Sequence, residues 1–281
     1  MKKIYKNVKF RLFEEYYPYF YVIIENYQIE GIEENLDEIT VCFLSENWND
    51  NIKTELLSSL ARLIPDIEII SEETIEDKNW NEEIEKNTPI IIVSEKIGIA
   101  PEWKIHELNT DIKIIINPKM SFGTGQHSTT KLVCKLLEKV LQKGQFWIDA
   151  GTGTGVLAIL AMKLGARAVY AFDYDEWSVE NARENFAFNE VNGNYTIEKA
   201  DIFECKLPNA DGIVANMFLN ILDKTADKFY HSLKESKGDL IISGILKYDA
   251  DYIIDHYTKY NFKHIETLTE DEWVAIHLKV K

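Results

Sequence analysis

The sequence predicts an α/β chain in two parts: a small α+β unit, then a domain built on a mostly parallel seven-stranded sheet that ends in an antiparallel hairpin. Three observations predict it. From residue 146 onward, apolar runs of strand length alternate with helical stretches, the pattern of βαβ units. The first of these runs breaks into a glycine-rich turn that opens a helix, a join at which open α/β sheets bind ligands. The length of 281 residues, 46% of them hydrophobic, supports a large core and exceeds one ordinary domain.

The expected boundaries are residues 1–75 for the α+β unit, 76–110 for a linker and 111–281 for the sheet domain. In the first unit, residues 19–25 (YFYVIIE) cluster aromatic and β-branched side chains and predict a strand. Gly31, Ile32, Glu33 and Asn35 predict a turn, residues 39–44 (ITVCFL) a second strand, and residues 67–70 a third. Between them, residues 54–63 place Leu56, Leu57, Leu60 and Leu63 on one helical face before Pro65. Residues 72–87 are rich in Glu, Asp, Asn and Lys, with Ile75, Trp80 and Ile84 as the apolar exceptions, and predict a solvated helix or linker.

Two β-like runs, 90–93 and 112–116, precede a loop (NPKMSFGTGQHSTT, 117–130) that feeds an amphipathic helix at 128–141. Strands are then expected at 146–148, 168–172, 212–215 and 240–242, and helices at 156–164, 178–189, 219–233 and 248–260. The last two runs, 262–268 and 274–280, are joined by Thr269-Glu270-Asp271-Glu272. That connection is too short for a crossover helix, so the runs form a hairpin.

Composition narrows the function. Cys42, Cys134 and Cys205 are far apart and the six histidines have no ligand spacing, so neither a disulfide framework nor a metal site is expected. No apolar run approaches the roughly 20 residues of a membrane span, and no apolar signal core follows the basic start, so a cytoplasmic monomer is expected. The net charge is −16, and residues 12–110 hold 23 acids against six bases. Such a surface disfavours nucleic-acid backbones; it serves either solubility or the docking of a basic partner.

The strongest motif is FWIDAGTGTGVL at 146–157. Its glycines, Gly151, Gly153 and Gly155, follow G-x-G-x-G, and Val156 stands where a dinucleotide fingerprint needs its third glycine. Bare peptide N–H groups in the turn are expected to face the ligand. Asp149, at the mouth of the strand, would repel a pyrophosphate and attract the ammonium of a methionine-like ligand. S-adenosylmethionine is therefore the expected cofactor. Asp173, at the end of the next strand, is placed to accept hydrogen bonds from ribose hydroxyls, while Asp175 suits a helix N-cap. Asp201 with Phe203 offers a carboxylate and an apolar wall for adenine, or a turn residue and a core side chain. Asn216 follows a later strand: its carbonyl can hold an amine with its lone pair toward the methyl group, with Met217 and Phe218 beside it, or the residue caps the next helix. His127 is read as a loop-ordering residue more readily than as a base.

Taken with Ile242-Ser243-Gly244-Ile245-Leu246, the FGTGQHSTT block, the glycine turn and Ala215-Asn216 resemble the ribosomal protein L11 methyltransferase (PrmA) family. The resemblance implies a Rossmann-like class I methyltransferase domain preceded by a ferredoxin-like domain that captures the basic ribosomal protein. It also implies methylation of that protein's amino groups and cofactor contacts by Thr130, Gly151, Asp173 and Asn216. Ser128 departs from the family's usual proline. Methyltransferases of other amines, and modules that bind the cofactor without transfer, share much of this pattern.

Overall fold

The computed structural model describes residues 4–24, 26–35, 37–76, 88–117, 122–191 and 193–281. Residues 77–87 of the expected linker (with Trp80 and Ile84) and residues 118–121 of the glycine-containing loop lie outside the described residues. Contacts divide the chain into two units, residues 1–87 and 88–281.

The first unit opens on β1 (Ile4–Arg11), which the sequence reading did not expect. Val8, Phe10 and Leu12 alternate inward there, and the intervening bases pair across the sheet: Lys9 with Glu38 at 2.8 Å and Arg11 with Glu68 at 2.5 Å. The run expected as the first strand is instead α1 (Tyr17–Ile24), with Pro18 in its first turn. Phe20 and Ile24, one turn apart, are buried, and the Phe20 ring meets Phe10 edge-on at 5.3 Å. The expected turn at Gly31 is the start of β2 (Gly31–Asn35). It is followed by β3 (Glu38–Leu44), α2 (Asp50–Leu60) and β4 (Glu68–Glu76), α2 being capped by Asn49, whose side chain accepts from Asn51 and Ile52 N–H. The strands are antiparallel in the order β2-β3-β1-β4. With a helix after β1 and after β3, this is the split βαβ arrangement of ferredoxin-like domains.

In the second unit, β5 (Ile91–Ile92), β6 (Ile97–Ala100) and β7 (Ile112–Ile115) form a small sheet. This corrects the linker at 76–110: Ile91, Ile97 and Ile99 are buried in the core of the second unit, so residues 88–110 belong to it. Helix α3 (Ser128–Val140) then leads to the main sheet. Its elements are β8 (Phe146–Ala150), α4 (Val156–Lys163), β9 (Ala168–Asp173), α5 (Glu176–Phe188), β10 (Asn194–Lys199), β11 (Gly212–Asn216), α6 (Leu219–Leu233), β12 (Asp239–Leu246), α7 (Ala250–Lys259), β13 (Phe262–Glu270) and β14 (Trp273–Val280). The strand order is β10-β9-β8-β11-β12-β14-β13, parallel through β12 and antiparallel from β12 to β13. The seven-stranded sheet and its terminal hairpin are as expected, although β10 is not among the six strand runs singled out in the sequence. One core holds α3, α4 and α5, the other α6 and α7, so apolar strands are covered on both faces.

The order reverses between β8 and β11, which leaves a crevice beyond their carboxyl ends. Asn185 of α5 and Asn189, the cap at its C-terminal end, lock its surroundings: Asn185 donates to the Thr154 carbonyl at 2.9 Å, and Asn189 exchanges two hydrogen bonds with Ile115. Among the described residues, no helix is long and apolar enough to cross a membrane, and no His/Cys/Asp/Glu group could hold a metal ion.

Candidate active site

A cavity of about 620 Å³ opens at this crevice. The turn after β8 forms its floor, and Gly151, Gly153 and Gly155 all hold positive φ. At Gly153 a Cβ would lie 2.3 Å from the Phe122 carbonyl oxygen, which accepts the Thr154 N–H at 3.0 Å. Thr154 Oγ1 also donates to the Gly123 carbonyl at 2.7 Å, so two distant loops are stitched together.

The N–H groups of this turn are already engaged, which corrects the expectation that they face a ligand. Gly151 and Thr152 donate to the Phe172 carbonyl at 2.9 and 3.0 Å, Gly153 to Asp173 Oδ2 at 2.9 Å, and Gly155 to the Thr152 carbonyl at 2.9 Å. The glycines therefore provide close approach to bare backbone and not a cradle of donors for phosphate. Gly155 lies outside the cavity lining and begins α4.

Asp149 is also placed differently from the expectation. It is fully buried behind the turn, because β8 is covered on both faces and the start of α4 draws the carboxylate. One oxygen accepts from Thr152 Oγ1 at 2.7 Å and from Ala158 N–H at 3.1 Å; the other has no hydrogen-bond partner among the described residues. Burial, with a smaller contribution from the Asp173 carboxylate, pushes its pKa up to about 7 against those two hydrogen bonds. The fold thus retains a proton that the unfolded chain releases near pH 4, so this group's stabilising contribution is lost as pH rises through about 7. Asp149→Asn keeps the shape and one acceptor. At pH 8 the ligand-free variant is expected to melt a few degrees above the parent, with the gap closing toward pH 5; a gap independent of pH would contradict this account.

Asp173 and Asp201 line the cavity and are its charged lining residues among those described, with neither Lys nor Arg beside them. Asp173 accepts from Gly153 and Asp175 N–H, one bond to each oxygen, which leaves each oxygen a further lone pair. Asp201 accepts from Phe203 N–H at 2.8 Å, and Phe203 is half exposed, so the turn reading of Asp201 holds and the core reading of Phe203 does not. Asp175 caps α5, accepting from Ser178 N–H at 3.0 Å.

Asn216 ends β11 at the cavity wall. It is not the cap of α6; that position is Phe218. Its side-chain nitrogen donates to Thr129 Oγ1 at 3.2 Å. Thr130 lines the cavity with its hydroxyl buried and unpartnered among the described residues. Gly244, to which the sequence reading gave no separate role, also lines it: it sits in a bulge of β12 where a Cβ would lie 2.3 Å from the Met217 carbonyl oxygen. A glycine inside an apolar strand is the signal that marks such a close approach. Tyr174 and Ser178 line the site as well, without a local signal.

An orphaned hydroxyl, two carboxylates, and the apolar surfaces of Phe172, Ile202 and Phe203 suit a cationic ligand that carries hydroxyls and an aromatic ring. S-adenosylmethionine has all of these features.

The profile of the family described as ribosomal protein L11 methyltransferase (PrmA) matches residues 21–281. The ribosomal protein L11 methyltransferase of Chlorobaculum parvum is 33% identical over 261 residues, covering 90% of this chain and 89% of its own. That of Macrococcus caseolyticus is 32% identical over 240 residues, covering 83% and 77%. Among solved structures, the ribosomal protein L11 methylase of Lactobacillus delbrueckii subsp. bulgaricus superposes with a TM-score of 0.63 at 29% identity, over 68% of this chain and 98% of that one. The chain therefore belongs to the ribosomal protein L11 methyltransferase (PrmA) family, enzymes that methylate this ribosomal protein with S-adenosylmethionine.

Proposed function

We propose that the methyl groups go to amino groups of ribosomal protein L11, on lysine side chains, the N-terminal amine or both, and that Asn216 orients the amine. The observation that carries this reading is the Asn216 amide at the cavity wall, tied to Thr129 and free of any capping role. An amide carbonyl that accepts an amine N–H turns the nitrogen lone pair in a defined direction. S-adenosylmethionine, when bound, supplies a methyl group on a positively charged sulfur.

In this proposal Thr130, Gly151, Asp173 and Asn216 contact the cofactor and Gly153 lies against it. Asp201 serves the ring end beside Phe203. Asp149 and Gly155 act from behind by shaping the turn. The residues contribute binding, orientation and a negative field, and the amine's proton leaves to water. The first unit, residues 1–87, is the dock for the basic ribosomal protein, since residues 12–87 carry 20 acids against four bases. The enzyme acts as a monomer in the cytoplasm and contacts neither nucleic acid nor membrane.

The test is to incubate the protein with labelled S-adenosylmethionine and ribosomal proteins from a strain lacking the enzyme, then map the label by mass spectrometry. Label on L11 amines is expected; label confined to other groups would overturn the reading. Residues 88–281, which bury cores of their own, are expected to bind the cofactor unchanged and to lose about 100-fold in kcat/KM on L11, the scale of roughly 3 kcal/mol of docking. Retained turnover would remove the dock.

A further inference from the structure

We infer that Thr129 is a positioning residue: its hydroxyl decides which arm of the Asn216 amide faces it, and His127 decides where the hydroxyl points. The inference rests on the amine-orienting role proposed for Asn216. Three contacts carry it. Thr129 N–H reaches His127 Nδ1 at 3.3 Å, Thr129 Oγ1 lies 2.8 Å from the same Nδ1, and the Asn216 side-chain amide lies 3.2 Å from Thr129 Oγ1.

A backbone N–H can only donate, so His127 Nδ1 is the acceptor and carries no proton. The imidazole proton of the neutral ring is therefore on Nε2. The Thr129 hydroxyl has a single hydrogen, and it shares the one lone pair of the proton-free Nδ1, 2.8 Å away, with the longer Thr129 N–H contact. Thr129 Oγ1 is left with lone pairs alone toward Asn216, so the arm that meets it must be the NH2 group. The carbonyl arm is thereby turned away from Thr129 and kept available to an amine.

The chain is anchored at each end. Thr129 is 1% exposed, and His127 caps α3 with its ring 5.3 Å from Phe122 and 4.9 Å from Trp273. The same deduction removes His127 as the first proton acceptor: the nitrogen outside the chain already holds a proton, and the other is committed to Thr129. Without the hydroxyl, the two arms of the Asn216 amide have nearly the same shape and nothing at Thr129 distinguishes them.

The experiment compares full-length Thr129→Val, Thr129→Ser, Asn216→Ala and the Thr129→Val/Asn216→Ala double variant. Each is assayed for kcat and KM on ribosomal protein L11, for S-adenosylmethionine affinity by calorimetry, and for melting temperature. Thr129→Val is expected to lower kcat about 10- to 100-fold, the range for losing one positioning hydrogen bond, with KM for L11 and cofactor affinity within about twofold of the parent. Thr129→Ser is expected to restore most of kcat, and Thr129→Val is expected to add little in the Asn216→Ala background. If Asn216→Ala reduces kcat and Thr129→Val does not, the positioning role is wrong while the reading of Asn216 stands. If Asn216→Ala leaves kcat intact, the reading of Asn216 itself fails. Loss of cofactor affinity and melting temperature in both Thr129 variants would make Thr129 a packing residue and overturn the inference.

Discussion

Asp173→Ala is expected to raise the dissociation constant for S-adenosylmethionine about 10- to 100-fold, because the carboxylate holds the turn that floors the cavity and, in the role proposed for it, accepts from ligand hydroxyls. Its two oxygens accept the Gly153 and Asp175 N–H groups, so truncation strips a partner from each as well as from the ligand. Leaving a donor without its charged acceptor costs about 1–3 kcal/mol, and each 1.4 kcal/mol is roughly tenfold in affinity. Asp173→Asn should fall between parent and alanine, since the amide keeps one acceptor and loses the charge. Calorimetry decides the matter: an unchanged constant for Asp173→Ala removes the residue from the cofactor site.

Gly153→Ala should be more severe, abolishing measurable cofactor binding and destabilising the second unit by about 3 kcal/mol or more. The residue has φ +53°, and an added Cβ would meet the Phe122 carbonyl oxygen at 2.3 Å, a backbone atom that cannot swing aside. That carbonyl also receives the Thr154 N–H, so relieving the collision breaks the stitch between the loops. Gly144→Ala provides the comparison: φ is +86° and nothing lies within 4 Å of the new Cβ. Only the left-handed strain of about 1 kcal/mol should appear there. Equal urea midpoints and equal cofactor affinities for the two variants would show that the turn tolerates a side chain.

Much of the architecture was legible in the amino-acid order because its signals are local. Strand-length apolar runs alternating with helical stretches identified the parallel sheet, and the short Thr269–Glu272 connection required a hairpin. Asp173, Asp201 and Asn216 could be singled out because each stands at or just past the carboxyl end of a strand, and ligands of open sheets lie beyond strand ends. The first unit was harder to read. Residues 19–25 (YFYVIIE) satisfy strand propensity, yet residues 17–24 form a helix because that conformation puts Phe20 and Ile24 together in the core against β1. β1 itself was hidden by its bases, whose partners Glu38 and Glu68 are remote in sequence.

By itself, then, the sequence determined the strand–helix alternation of the main sheet and its terminal hairpin, the glycine turn, the acidic and amide residues at the strand ends and, through its motifs, the cofactor and family. Tertiary structure alone decided what those groups do to one another. It sent Asp149 behind the turn, spent the turn's N–H groups on Phe172 and Asp173, and brought Thr129 to Asn216 across 87 residues. The physical reason is range: periodicity records which face of an element is apolar, whereas a hydrogen bond depends on the register and packing of elements far apart in the chain, and only the folded coordinates fix those.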